Sequence, residues 1–305
     1  MQIFQTTRID FVRLRHIALV ISAAAILASI TLLSLGRLKM GVDFTGGHLV
    51  QVRFEGGTVA IGRLRQILFD GGISNAEVQS FTEGLEYVVR APLAEEAEGG
   101  SGTKLERVLA AGFPEGFEIV RTEDVGPKIG AELSRNALRA ILWALGLILV
   151  YISWRFELRF AVGAVIALAH DVLITAGVLA FTGREVSLSV VAALLTIVGY
   201  SLNDTIVIFD RIREELRLQR REPLPAVINA GINKSLSRTV ITSVTTLVVL
   251  LMLYVFGGKV INDFAFTLLF GVLIGTYSSM FVASPVVLEW ERIKPRSRRT
   301  KRTES

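Results

Sequence analysis

Two kinds of hydrophobic pattern alternate along the chain. Six runs are apolar for about 17–25 residues, enough for a helix to cross a hydrocarbon core about 30 Å thick. They occupy residues 17–35, 137–154, 160–181, 187–209, 239–256 and 264–288. The first, taken with its flank as 17–38, has neither the short core nor the small-residue site of a cleaved signal peptide, so a retained signal-anchor helix is expected. Between the first and second runs, residues 39–134, the period shortens. Residues 48–54 (HLVQVRF) alternate as a strand and 59–69 have helical spacing. Residues 77–81 and 87–91 read as strands around the turn Glu83-Gly84, 104–111 as a helix and 118–122 as a last strand. The order β-α-β-β-α-β predicts a ferredoxin-like α+β domain, a small antiparallel sheet with two helices on one face. The run EEAEGGSG at 95–102 predicts a flexible acidic insertion.

The expected fold is thus an α-helical integral membrane protein with six transmembrane helices, of the half-transporter size, and one α+β domain between helices 1 and 2. Residues 1–16 form a polar N-terminus, 135–288 hold helices 2 to 6, and 289–305 form a basic tail. Composition agrees: 51% of the 305 residues are hydrophobic, with a mean hydropathy of +0.52. Cysteine is absent, which excludes disulfides, thiolate metal sites and iron–sulfur clusters.

The net charge of +5 is unevenly placed. Residues 41–133 carry 15 acids against 8 bases, so the basic excess lies beside the apolar runs. Arg155 and Arg159, the cluster from Arg211 to Lys234, and the tail fall on one side of the membrane; only Arg184 and Lys259 occupy the short loops opposite. This is the positive-inside pattern, not a nucleic-acid groove. It predicts both termini in the cytoplasm and the 39–134 domain outside, with Trp154, Trp290 and Tyr254 at the interfaces. The basic tail offers a surface to anionic membrane lipids.

Candidate chemistry is confined to polar groups within the apolar runs. Thr196-Ile197-Val198-Gly199-Tyr200 only superficially resembles a potassium filter, and the chain has no P-loop; no cofactor or metal site is expected. His170 and Asp171, pointing about 100° apart on a helix, make a poor metal pair. An ionised Asp at a helix centre costs about 2.5–3.5 kcal/mol on insertion scales, so Asp204 calls for an explanation. Counted from the basic side, Asp204 lies about 8 Å deep on the fourth run and His170/Asp171 about 15–17 Å deep on the third. Arg238, at the mouth of the fifth run, can reach inward along its alkyl stem to the depth of Asp204. Thr242, Thr245 and Thr246 continue from Arg238 at helical spacing, and Thr276–Ser279, Ser278 among them, fall near mid-membrane on the sixth. Together these predict a polar seam able to relay protons or sodium ions, against the plainer reading of interhelical hydrogen bonds worth about 0.6 kcal/mol each.

Five motifs extend the reading: GVDFTGG at 41–47, EDVGP at 123–127, His170-Asp171, GYSLNDT at 199–205 continuing through FDRIRE at 209–214, and NKSLSRT at 233–239. In this combination the chain resembles, over essentially its whole length, the SecF side of the bacterial SecD/SecF protein-export family. The resemblance implies a half-transporter of the resistance–nodulation–division type that pairs with SecD, works beside the SecYEG translocon in the inner membrane, and uses ion-motive force late in preprotein translocation. It implies no enzymatic reaction. It also implies that Asp204 and Arg238 serve proton transport; to these the reading of the residues adds Asp171 with His170 as a relay and the neighbouring Asn203 as a further ion-coupling candidate. Two other functions remain open: an exporter subunit for lipids or small molecules, which would want a larger extracytoplasmic part, and a scaffold that transports nothing.

Overall fold

In a computed structural model, residues 8–73, 76–82, 85–91 and 100–293 are described. The chain divides into two compact units: Met40–Arg139, and a second composed of Met1–Lys39 and Ala140–Ser305. In chain order the elements are α1 (Phe11–Ser34), a two-residue β1 (Lys39–Met40), α2 (Val42–Thr45), β2 (Gly47–Phe54), α3 (Ile61–Asp70), β3 (Glu77–Thr82), β4 (Glu86–Ala91), α4 (Gly100–Gly112) and β5 (Phe117–Val125). Then follow α5 (Pro127–Arg155), α6 (Leu158–Thr182), a two-residue β6 (Glu185–Val186), α7 (Leu188–Leu218), α8 (Leu224–Phe256), α9 (Gly258–Ser278), a π-helical turn (Ser279–Ala283) and α10 (Ser284–Ile293). The turn at Glu83-Gly84 and the acidic residues 95–99 lie outside the described residues, as does the tail from 294.

In the smaller unit the alternation of β2 works as expected. Val50, Val52 and Phe54 face one way and join Leu64, Leu68, Leu105 and Leu109 of the two helices in a buried core. The sheet order is β3-β4-β2-β5, every neighbouring pair antiparallel. On the other face Glu86 accepts from Gln51 at 3.1 Å and from Arg53 at 2.9 Å, while Arg53 also reaches Glu118 at 3.0 Å. β5 is longer than its apolar core suggests, because Thr122–Val125 continue pairing with the start of β2.

The larger unit holds the long apolar helices. Six segments among the described residues have the length and hydropathy to cross a membrane: Phe11–Ser34, Lys128–Arg155, Leu158–Thr182, Leu188–Leu218, Leu224–Phe256 and Ile261–Glu291. Helices α6, α7 and α9 form the centre; α1 packs on α6, and α8 packs on α7 and α9. Within this unit α5 enters the core only near its end, through Ile148 and Ile152. Large apolar side chains such as Trp143, Leu147, Val248 and Val249 stay exposed, as expected where the surrounding medium is lipid. Close approach of helices then depends on small residues. A Cβ on Gly177 would lie 2.0 Å from Ser29 Oγ of α1, and one on Gly231 of α8 would lie 2.7 Å from the Ile212 side chain of α7.

Helix ends follow local chemistry more than hydropathy. Asp10 caps α1, accepting from Arg13 N at 2.9 Å, so the helix begins six residues before the apolar run. The left-handed Gly183 (φ +66°) terminates α6. The largest correction is in α8, which starts at Leu224 behind Pro223 and not near residue 239. The polar turn containing Asn229, Asn233 and Lys234 is helical too. Asn229 and Asn233 hold the backbone of Ile9 and Val12 ahead of and within α1, and Lys234 reaches the buried Glu215 of α7 at 2.5 Å. Arg238 therefore lies inside α8 and not in its first turn.

The last membrane segment is α9, the π turn and α10 in sequence. Pro285 has no N–H to offer the preceding turn, and Ser284 Oγ instead donates to Ser279 O at 3.1 Å.

Candidate functional site

Two buried carboxylates stand on adjacent helices of the bundle, and their surroundings differ sharply. Asp171 on α6 is fully buried. Its Oδ2 accepts from Ser201 of α7 at 2.6 Å and from Ser278 of α9 at 2.8 Å, and its Oδ1 meets His170 Nδ1 at 2.9 Å. The α9 backbone comes this close because residue 275 is glycine: a Cβ there would lie 2.9 Å from Ser201 Cβ and 3.5 Å from Asp171 Oδ2. Three donors on one carboxylate is a well-anchored arrangement.

From His170 the contacts run outward to α1. Its Nε2 lies 3.1 Å from Ser22 Oγ, which lies 3.1 Å from Tyr277 OH, and Tyr277 donates to Ala18 O at 2.7 Å. Counting hydrogens along this chain gives a definite result. Tyr277 has one proton, and the Ala18 carbonyl can only accept it. Ser22 must then supply the proton for its contact with Tyr277, and His170 Nε2 must supply the next. The remaining contact, between Nδ1 and Asp171, also requires a proton. With every contact made, the His170–Asp171 pair holds two protons, either as imidazolium and carboxylate or as imidazole and carboxylic acid. Losing one proton from the pair breaks a link.

Asp204 on α7 is only 3% exposed yet poorly supplied with donors. Its one hydrogen-bonding neighbour among the described residues is Ser243 of α8, at 3.4 Å. Ser243 also lies 2.7 Å from Thr276 Oγ1 of α9, and Thr276 can give its own proton to Val272 O. Either hydroxyl of the Ser243–Thr276 pair can be the donor, so the single Ser243 proton is contested between the short contact to Thr276 and the long one to Asp204. Asp204 and Ser201 are three residues apart on one face of α7, so the two carboxylate environments adjoin along that helix.

Not every polar residue expected in the seam joins it. Arg238 is exposed, and among the described residues it forms no ion pair within 4 Å. Asn203 is exposed and faces away from its neighbour Asp204. Thr242, Thr245 and Thr246 bond back to carbonyls of their own helix at 2.9–3.0 Å; Thr246 also receives a 3.4 Å contact from Tyr200 OH. The helical spacing from Arg238 selected this stripe, whereas the side chain aimed at Asp204 is Ser243, on the adjoining stripe. His170 and Asp171 do meet, although their Cβ directions diverge. Ser22 and Ser243 carry no sequence signal individually; their only mark is a hydroxyl inside an apolar run, which many uninvolved residues share. Among the described residues no cluster of three or more His, Asp or Glu side chains has the spacing of a metal site.

The chain matches the family model "Protein export membrane protein SecD/SecF, C-terminal" over residues 104–293. A SecF subunit of the protein translocase from Desulfurispirillum indicum is 47% identical over 290 residues, covering 92% of this chain and 91% of that protein. The corresponding Escherichia coli O157:H7 subunit is 42% identical, covering 92% and 87%. The crystal structure of SecDF from Thermus thermophilus, described as a translocon-associated membrane protein, aligns with a TM-score of 0.83 at 39% identity. It covers 96% of this chain, which in turn spans 40% of that longer one. A SecDF structure in a super-membrane-facing form aligns with a TM-score of 0.69. On the family match, the relatives' full-length identity and the shared architecture together, the chain belongs to the SecD/SecF family of protein export membrane proteins.

Proposed function

We propose that this chain is an accessory subunit of bacterial protein export that works with SecD and couples an ion gradient, carried by protons, to late movement of preproteins beside the SecYEG translocon. The observation that carries the coupling is the pair of buried carboxylates. One, Asp171, is fixed by three donors; the other, Asp204, has a single long and contested one. A carrier must exchange its proton while its surroundings stay intact, and a carboxylate without committed donors suits that role. Arg238 supplies a positive charge nearby, and the two-proton His170–Asp171 pair is a reservoir next to it.

In this reading both termini are cytoplasmic and the Met40–Arg139 unit lies outside. The sheet order β3-β4-β2-β5 with two helices supports its reading as a ferredoxin-like docking domain that moves against the emerging preprotein. The exposed Asn203 and Arg238 support a neighbouring membrane chain against α7 and α8, since polar groups on a lipid-facing surface are costly. The basic membrane flank then rests on anionic lipid.

The test is Asp204→Asn in vesicles that contain both subunits and the translocon. The variant assembles with its partner but loses gradient-driven export. Unimpaired export would favour the scaffold reading instead.

A further inference from the structure

Threonine behaves uniformly on the membrane-spanning helices, with two exceptions. Among the described residues every other threonine there donates to a carbonyl three or four positions back, as Thr175, Thr196, Thr246 and Thr276 do at 2.7–2.9 Å. This return bond is how a hydroxyl in an apolar helix is normally satisfied. Thr205 and Thr239 do not make it. Each is 1% exposed, and each hydroxyl is buried without a hydrogen-bond partner. A buried hydroxyl left unbonded is costly, and two that decline an available carbonyl are unusual.

Their positions are related. Thr205 follows Asp204 on α7. Thr239 precedes Ser243 by four residues on α8, so it shares the stripe that faces Asp204, one turn towards the end where Lys234 meets Glu215. The sites thus bring together a buried carboxylate short of donors and two buried hydroxyls short of partners, within one helical turn. We propose that Thr205 and Thr239 hold water against Asp204 and so form the proton path between Asp204 and the basic end of the bundle. Water has both donors and acceptors, so it satisfies the hydroxyls and supplies the carboxylate at once. In transfer, a held water receives a proton from the basic side and passes another of its own to an Asp204 oxygen; the hydroxyls orient it and are unchanged. The proposal rests on Asp204 being the proton carrier.

The test uses the full chain with SecD in proteoliposomes, an imposed pH gradient and an enclosed pH-sensitive dye. Thr→Val keeps the shape and removes the hydroxyl; Thr→Ser keeps the hydroxyl. T205V/T239V is expected to lower proton flux about tenfold or more, the equivalent of one lost hydrogen bond in the transfer path. Its thermal midpoint should stay near the parent's, which separates a lost path from a lost fold, and T205S/T239S should keep its flux. If T205V/T239V does not assemble, T205V and T239V singly carry the same comparison. Parent-like flux in the valine variants, alongside none in D204N, overturns the water path. Parent-like flux in D204N overturns the carrier reading, and the water path with it.

Discussion

His170 and Asp171 are neighbours in the chain and also partners, joined Nδ1 to Oδ1 at 2.9 Å inside the bundle. The contact is the inner end of a chain that passes through Ser22 and Tyr277 to the backbone of α1. Because each hydroxyl has only one proton to give, its members act as a unit. Ser22→Ala and Tyr277→Phe should therefore be non-additive. Each alone destabilises the protein by about 1–3 kcal/mol by leaving a buried group unpaired. The double variant should cost less than the sum, with a coupling of about 0.5–3 kcal/mol in a thermal-denaturation cycle in detergent. Strict additivity would show that the chain is not continuous.

Ser201 and Ser278 hold the same oxygen of Asp171 from two different helices. Ser278→Ala removes one donor and should cost about 1–3 kcal/mol. Asp171→Asn in the Ser278→Ala background should recover part of that loss, because a neutral amide requires fewer donors. Melting curves of the two variants and the parent decide the matter; no recovery would mean that the serine serves packing alone.

Gly177 permits the contact between α6 and α1 at Ser29. A Cβ there would fall 2.8 Å from the Ser29 Cα, which a side-chain rotation cannot relieve. Gly177→Ala should separate the helices at a cost of about 1–3 kcal/mol. Gly199→Ala, with nothing within 4 Å of its added carbon, is the matched control and should be nearly silent. Limited proteolysis of the two proteins measures the contrast.

His48 lies at the start of β2, 1% exposed, and burial holds its imidazole below the usual histidine range while the Glu106 charge pulls it slightly back. The folded state thus binds a proton less readily than the unfolded chain. Its contribution is constant above the ordinary histidine pKa of about 6.5 and unfavourable as pH falls from there towards the lowered folded value. The protection factors of the β2 amides, measured relative to the intrinsic exchange rate at each pH, should fall over that interval in the full chain, and His48→Gln should flatten the response. An unchanged pH profile in the variant would assign the effect elsewhere.

Much of the architecture was legible from hydropathy, since six apolar runs of membrane length have few alternative readings. The alternation in HLVQVRF placed β2, and the acidic residue Asp204 identified itself by its cost. Hydropathy could not find where α8 begins, because Asn229, Asn233 and Lys234 are polar but helical, held by partners distant in sequence. Nor could helical spacing choose between adjoining stripes. The run Thr242, Thr245, Thr246 is the more conspicuous, yet Ser243 is the residue turned inward, because it meets Thr276 of another helix. The hydroxyl network depends on which stripe of α1, α7 and α9 faces α6, and that is settled by packing at glycines such as Gly177 and Gly275.

The π turn at Ser279–Ala283 adds one residue to a single turn of the sixth segment. Each extra residue rotates everything beyond it by about 100° around the axis. Before the turn, Ser278 points at Asp171; after it, Val287 and Leu288 enter the apolar core with Phe160 and Phe209. A regular α-helix of the same sequence would turn everything beyond residue 283 by about 100° from where it stands. The wider turn acts as a phase shifter, taking up one residue so that the far end keeps the orientation of a helix one residue shorter. Deleting a single residue from 279–283 would therefore relax the π turn to an α turn and leave the far end facing the same neighbours, whereas inserting one there would turn it away.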